Sequence, residues 1–419
     1  MARRPMRILS SAAFAAALAA CSPDGEMPVA RTPNVAPPGA STASESSSLR
    51  LDKANLRKDG IEPAQIAKID GSAFRYFRLL ARPYELRTCE AFNDLRWSLP
   101  VVAVHGDPHV EQFVATSETY GVEDFDQSGY GPAVVDLVRY AASIELAARE
   151  LTWTCNSGQT VEKFFTAYRA ALDKAPPPPR PPAVVARLRS RAPQARAAWL
   201  EWVDSQMIPL PAKDDARARK AWTKFTDLQA AVRPDRPAAF FDIVRAGVLK
   251  MGVGSALEKK MLIRVRGPSA DPDDDVVLEA RAGDPSTASG CVWRPDHGNA
   301  LHVLTFMAML GPRMPEVVGY VGLGDNTQTR PFWVQSWTPG YVELALSDVQ
   351  TQAEIDELAE AAAQQLAGHY WTRMPEQLRL YLRYAQLKSF DQVRGRAIKL
   401  ARELALETRV EWERFRKTP

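Results

Sequence analysis

Several familiar functional classes are missing from this chain. No run of about 18 apolar residues occurs, the least that a bilayer-spanning helix requires. Cysteine is scarce, with four in 419 residues and no CxxC pair, and the five histidines form no His/Cys cluster with zinc spacing, so structural zinc sites are excluded. Charge of one sign is lacking too: 53 Lys+Arg against 50 Asp+Glu leave +3, too little to argue for nucleic acid as a partner. No internal repeat is apparent. What is present is ordinary, 46% hydrophobic and 25% charged, as in a globular protein with room for two or three structural units.

The N-terminus is more specific. MARRPMR supplies a basic segment and ILSSAAFAAALAA a short apolar one, ending in Leu18-Ala19-Ala20-Cys21. This ending resembles the bacterial lipobox, which implies lipidation at Cys21 and a multi-chain membrane anchor, stable where a single chain is marginal. Ser22 favours the outer membrane of a Gram-negative cell. The expected location is therefore the cell envelope, on the periplasmic face of that membrane. The Pro/Ser/Ala/Thr-rich stretch that follows reads as a flexible tether. Expected boundaries are a signal peptide at 1–21 and a tether at 22–50. Once Cys21 carries lipid, an oxidising compartment permits one disulfide. Cys89–Cys155 is the favoured pair because both flank the acidic segment described next, and Cys291 is then free.

That segment is HGDPHVEQF at 105–113 followed by EDFDQSGYGPAVVDLVRY at 123–140. It follows an apolar run, LPVVAV at 99–104, that reads as a buried strand. Carboxylates just beyond a strand can converge on a divalent cation, magnesium or manganese, and that cation can hold phosphate oxygens. Phosphoryl transfer needs a carboxylate to orient or deprotonate the acceptor, metal ligands on a second loop, and groups that cradle the phosphates. Asp107 suits the base, Gln112 and Asp124 or Asp126 the metal ligands, and Gly252, Gly254 and Ser255 of GVGS the phosphate-approaching turn. Arg281, at a strand end, can meet phosphate oxygens with its fork. His109 is a candidate for catalysis or ligation, whereas His105 reads as a structural hydrogen-bonding histidine. The bland alternatives are a charged loop, a plain hairpin for GVGS and a solvated arginine.

Apolar positions at three-to-four spacing make 51–97 helix-rich. EQFVATSETYGVEDFD reads as a hairpin turning at Tyr120-Gly121, and Gly131-Pro132 as a helix start. Helices are expected over 160–173, 184–236 and 298–311, and from 352 to the end. Strands are expected in FDIVRAGVLK, KKMLIRVRG, DDVVLEARAG, PEVVGYVGLG and TRPFWVQSW.

GDPHVEQF followed by DFDQSGYGPAVVDLVRYAAS resembles the bacterial domain-of-unknown-function family 2252, whose pattern is GDxHxxNFG, then NDFDE, then GPxxWDxxRLAAS. The likeness extends more diffusely to SAFRYFR at 72–78, GVGS at 252–255, PFWVQSW at 331–337 and LAGHY at 366–370. That family in turn resembles kinase-like phosphotransferases of the aminoglycoside and choline kinase type. The resemblance implies a catalytic role for Asp107 and metal binding by Asp124. It also implies structural support from Asp136 and Arg139, and ATP or another phosphodonor as cofactor. Two positions depart from it. Gln112 stands where the pattern has asparagine, and Arg281 where it has lysine; arginine is no conservative replacement at a tight site. The implied fold is α+β and protein-kinase-like in permuted order, with a helix-rich catalytic lobe at 51–236, a sheet lobe at 237–345 and C-terminal helices at 346–419. Three functions follow: a metal-dependent phosphotransferase, a degenerate pseudokinase-like module that binds a small molecule or protein, and, more weakly, a metallophosphoesterase.

Overall fold

The computed structural model describes residues 47–58, 61–174, 180–193, 195–249, 260–282, 290–294, 300–325, 328–372 and 375–418. The expectations for Cys21, Gly252, Gly254 and Ser255 lie outside them. The helices α1 (Lys53–Lys58), α2 (Pro63–Asp70), α3 (Ala73–Arg78) and α4 (Ala81–Ala91) lead to β1 (Val101–Val104). Then come β2 (Phe113–Ala115), β3 (Tyr120–Val122), β4 (Gly129–Pro132), α5 (Val134–Glu150), α6 (Ser157–Asp173), α7 (Ala183–Arg191) and α8 (Arg196–Ser205). A sheet region follows, with β5 (Met207–Pro209), α9 (Ala212–Val232), β6 (Ile243–Leu249), β7 (Lys260–Val265), β8 (Val276–Ala282), α10 (Ala300–Leu310), β9 (Val318–Asp325) and β10 (Gln328–Ser336). The chain closes with β11 (Val342–Glu343), α11 (Gln352–Thr372) and α12 (Glu376–Lys417). The protein is a mixed α+β fold with antiparallel sheets.

Two packing regions result. In the helical one, α5 is buried at every position from Val134 to Ile144, as expected of a helix enclosed on all sides. Around it lie Phe74 and Phe77 of α3, Phe164 and Phe165 of α6, Ile355 and Leu358 of α11 and Phe390 and Leu404 of α12. The C-terminal helices thus share one core with the N-terminal ones. In the other region six antiparallel strands run in the order β5-β6-β7-β8-β10-β9. Period-two alternation sends Met261, Ile263, Leu278 and Ala280 to one face, against Trp222 and Phe225 of α9. Leu262 and Val277 go to the other face, against Trp199 and Leu200 of α8 and Trp337. Helices α8 and α9 therefore pack with the sheet, although they precede most of its strands.

Three local expectations are corrected. Gly131-Pro132 does not start a helix: β4 pairs antiparallel with β1 (Val101↔Pro132, Val104↔Gly129), and Pro132 is tolerated at the end of this two-stranded pair. The hairpin turn precedes Tyr120-Gly121, which lie in β3 opposite Ala115 and Val114. The disulfide is Cys89–Cys291, with Cα atoms 5.4 Å apart, and Cys155 is the free cysteine. Flanking in sequence did not mean nearness, because the 17 residues of α5 carry the chain about 25 Å before Cys155. Cys291 instead lies beside β4: Tyr130 and Trp293 exchange backbone hydrogen bonds of 2.8 and 2.7 Å. Reducing this bridge, which closes a loop of 202 residues, lowers stability by about 2–4 kcal/mol. Urea titrations with and without dithiothreitol measure it, and a Cys155→Ser variant shows the same loss on reduction; equal midpoints count against the bridge.

Candidate functional site

The site is built where two loops touch beneath the sheet. The first leaves β1 as His105-Gly106-Asp107. Its backbone is held by Asp136 of α5, whose Oδ2 accepts from His105 N at 2.7 Å and Oδ1 from Gly106 N at 2.8 Å. Burial pushes the Asp136 carboxyl up to about 7, against the pull of these two amides. Asp107 is nearly enclosed and accepts from Arg139 Nε at 2.7 Å. The Arg139 guanidinium lies 3.5 Å from the Phe77 ring centroid and donates to Phe77 O at 3.0 Å. Burial raises the Asp107 carboxyl, and Arg139 opposes the rise.

The second loop, 123–128, lies directly against the first. His105 Nε2 is 3.0 Å from Glu123 O, and Ser128 Oγ donates to His105 O at 3.1 Å. Burial depresses the His105 imidazole to about 4, so it is neutral at pH 7 and Nε2–H is the donor to Glu123 O. The Gln127 carbonyl faces Gly106, which has φ of 85°, and accepts from Arg294 Nε at 3.1 Å and Nη2 at 2.9 Å. Arg294 also forms a fully buried fork on Glu85 of α4.

Asp124 is the point of contact with the sheet. It has φ of 76°, a left-handed conformation uncommon for a residue with a side chain. Its Oδ1 accepts from Arg281 Nη1 of β8 at 2.6 Å. Burial pushes this carboxyl up, but Arg281, then Lys260, outweigh burial and hold it well below the usual range. Arg281 also donates from Nε to Glu279 at 2.8 Å and lies 5.2 Å from the Trp333 ring. Two cavities flank this pair. The larger, about 270 Å³, has Trp333, Trp337, Tyr341 and Met307 in its wall together with the buried Gln335. The smaller, about 40 Å³, is lined by Gln112, Lys260, Glu279 and Glu343. Glu123, Asp124 and Arg281 line both.

The remaining candidates fall differently. Gln112 ends a single 3₁₀ turn, is nearly buried, and lines the smaller cavity. His109 turns into the aromatic core, 5.7 Å edge-on to Phe74; its Nδ1 has no hydrogen-bond partner and it lines neither cavity. Burial holds its imidazole far below the usual range. Asp126 is half-buried, and neither it nor the nearly enclosed Asp107 lines either cavity. Among the described residues no three His, Cys, Asp or Glu side chains form a metal-holding group. Sequence reasoning missed Glu123, Glu279, Lys260 and the Glu85–Arg294 pair. Strand alternation puts Glu279 and Arg281 on one face, which was a usable signal; nothing local links Glu85 to Arg294.

Burial pushes Glu123 up to about 7, with Arg281 opposing. A raised carboxyl destabilises the fold when charged; the penalty is complete above pH 7 and disappears as pH falls toward the unfolded value near 4.5. Glu123→Gln therefore melts at a higher temperature than the parent at pH 8, and the advantage fades toward pH 4.5. Calorimetry at the two pH values checks this, and a pH-independent difference contradicts it.

Residues 60–198 match the model of a family described as an uncharacterized protein conserved in bacteria, DUF2252. The matched segment is similar to the family that the motifs resemble, and it contains both acidic loops, α5 and Arg139. No curated protein and no solved structure matches the chain.

Proposed function

We propose that this is a kinase-like, metal-dependent phosphotransferase-type site, in a lipoprotein anchored to the cell envelope through Cys21. The observation that carries the proposal is the 2.6 Å contact between Arg281 of β8 and Asp124, which roofs the two acidic loops with a sheet encoded after them. The order of parts supports it. Two antiparallel strands (β6, β7), the strand bearing Arg281 (β8) and, after α10, two more strands form a sheet that runs β6-β7-β8-β10-β9, beside its edge strand β5. A protein kinase likewise carries its phosphate-binding lysine on the third strand, after the glycine-rich loop.

The donor set fits a magnesium or manganese ion. Magnesium is held by one or two protein oxygens plus substrate phosphates, so a group of three acids is not required. Asp124, ionised, and the amide of Gln112 line the same small cavity and would supply such oxygens. A bound ion would neutralise phosphate charge. The chain's own work is then orientation and proton transfer. Asp136 fixes the His105–Gly106 backbone, Arg139 aims Asp107, and Asp107 takes the proton of an acceptor hydroxyl. The hydroxyl oxygen attacks the terminal phosphorus, the bridging P–O bond breaks, and the nucleoside diphosphate leaves.

One reading competes. Both edges of Arg281 are taken, by Glu279 and Asp124, and α10, ALHVLTFMAML, brings no acid to pair with a phosphate-binding cation. These features favour a module that binds without catalysing. Thermal denaturation separates the cases: Mg·ATP or Mn·ATP at about 100 times Kd stabilises the fold by ~2.7 kcal/mol. No shift with any nucleotide plus either metal sinks the binding site itself. If binding occurs, phosphate release falls about 100-fold or more in Asp107→Asn when catalysis is present; a parent that binds and releases nothing is the binding-only module.

A further inference from the structure

The phosphate-binding cation expected of such a site is hard to assign to Arg281. Its Nε is committed to Glu279 at 2.8 Å and its Nη1 to Asp124 at 2.6 Å, and its plane lies near Trp333. Swinging it onto a phosphate would take the guanidinium away from the buried carboxylate of Glu279 and break the tether to Asp124. The planar fork of arginine suits the clamp it already forms.

A second cation lies across the ladder. Lys260 opens β7 and is the register partner of Arg281, as Leu262 is of Glu279. Residues paired across antiparallel strands share a face, so Lys260 stands beside Arg281 on the side of the sheet that meets the acidic loops. Both line the small cavity with Asp124 and Gln112, and the Lys260 ammonium acts electrostatically on Asp124. A lysine there is a compact charge on a flexible stem, with three donors that can follow a phosphate.

We propose that Lys260 is the residue that binds the terminal phosphates of the donor, while Arg281 pins Asp124 to the sheet. The phosphate contact and the tether to Asp124 are thus divided between neighbouring strands. This rests on the phosphotransferase-type reading of the same site.

Isothermal titration of the whole protein with Mg·ATP, Mg·tripolyphosphate and adenosine tests the division. Lys260→Ala weakens ATP and tripolyphosphate about tenfold or more and leaves adenosine unchanged, and Lys260→Arg restores both phosphate ligands to within about threefold. Unchanged tripolyphosphate affinity in Lys260→Ala overturns the assignment, as does an equal loss for adenosine, which would mark a merely structural residue. A parent that binds neither triphosphate probe overturns the phosphotransferase-type reading and Lys260 with it. A parent that binds both, unaffected by Lys260→Ala, removes Lys260 alone.

Discussion

Replacing Arg294 with alanine destabilises the protein by about 3–5 kcal/mol, because it takes the guanidinium fork away from a buried carboxylate. Glu85 and Arg294 are both about 1% exposed at the side chain and meet as a fork within the protein. The same guanidinium donates twice to the Gln127 carbonyl, so its loss also removes two hydrogen bonds from the segment that faces the His105–Asp107 loop. The contrast that identifies the cause is the double variant Glu85→Leu, Arg294→Met. Apolar residues of similar size remove both charges together, and buried pairs replaced in this way are often neutral or stabilising. Urea unfolding of the three variants measures the effects. A single-variant loss under about 1 kcal/mol, or a double variant as unstable as the single, would show that the pair is not desolvated as described.

Gly106→Ala has an effect at least as large, about 4 kcal/mol, at the edge of what one methyl group can do. Two costs combine. The φ of 85° places residue 106 in the left-handed region, where a side chain is strained. A Cβ there would lie 1.9 Å from the Gln127 carbonyl oxygen, a backbone atom that cannot rotate away. Arg294 and the hydrogen bond from Ser128 to His105 O hold the two loops together, so relief requires them to part. Loss of stability and loss of any Mg·ATP-induced thermal shift therefore appear together. A Gly106→Ala protein that melts like the parent would mean that the loops separate easily, and the contact of the His105–Gly106 turn with the 123–128 loop would then carry little weight.

The spacing of chemistry along the chain was legible because it is local. LPVVAV, six carboxylates within the segments 105–113 and 123–140, and a long apolar helix name a strand, two loops and the element behind them before any coordinates are seen. Asp136 was recognisable by motif, and the two amide bonds it accepts supply a physical reason for a carboxylate there. The strands of the sheet region could be read from their period of two. The packing of α8 and α9 with the sheet was not, since it is set by which sheet face each covers, a relation between residues far apart. The surroundings of His109 were hidden for a similar reason: the sequence places it in an acidic motif, whereas its ring packs edge-on to Phe74 and Phe77.

What the sequence alone determined is therefore the set of chemical groups and their local conformations, which follow from hydrogen-bonding capacity, periodicity and turn-forming residues over a few positions. The tertiary structure decided which of those groups meet. It paired Cys89 with Cys291 rather than Cys155, buried Glu85 against Arg294, and brought Arg281 with Lys260 over Asp124. Each of these joins segments more than 100 residues apart, so each depends on the packing of whole helices and strands, and the energy of burying those elements has no signature within any short window of sequence.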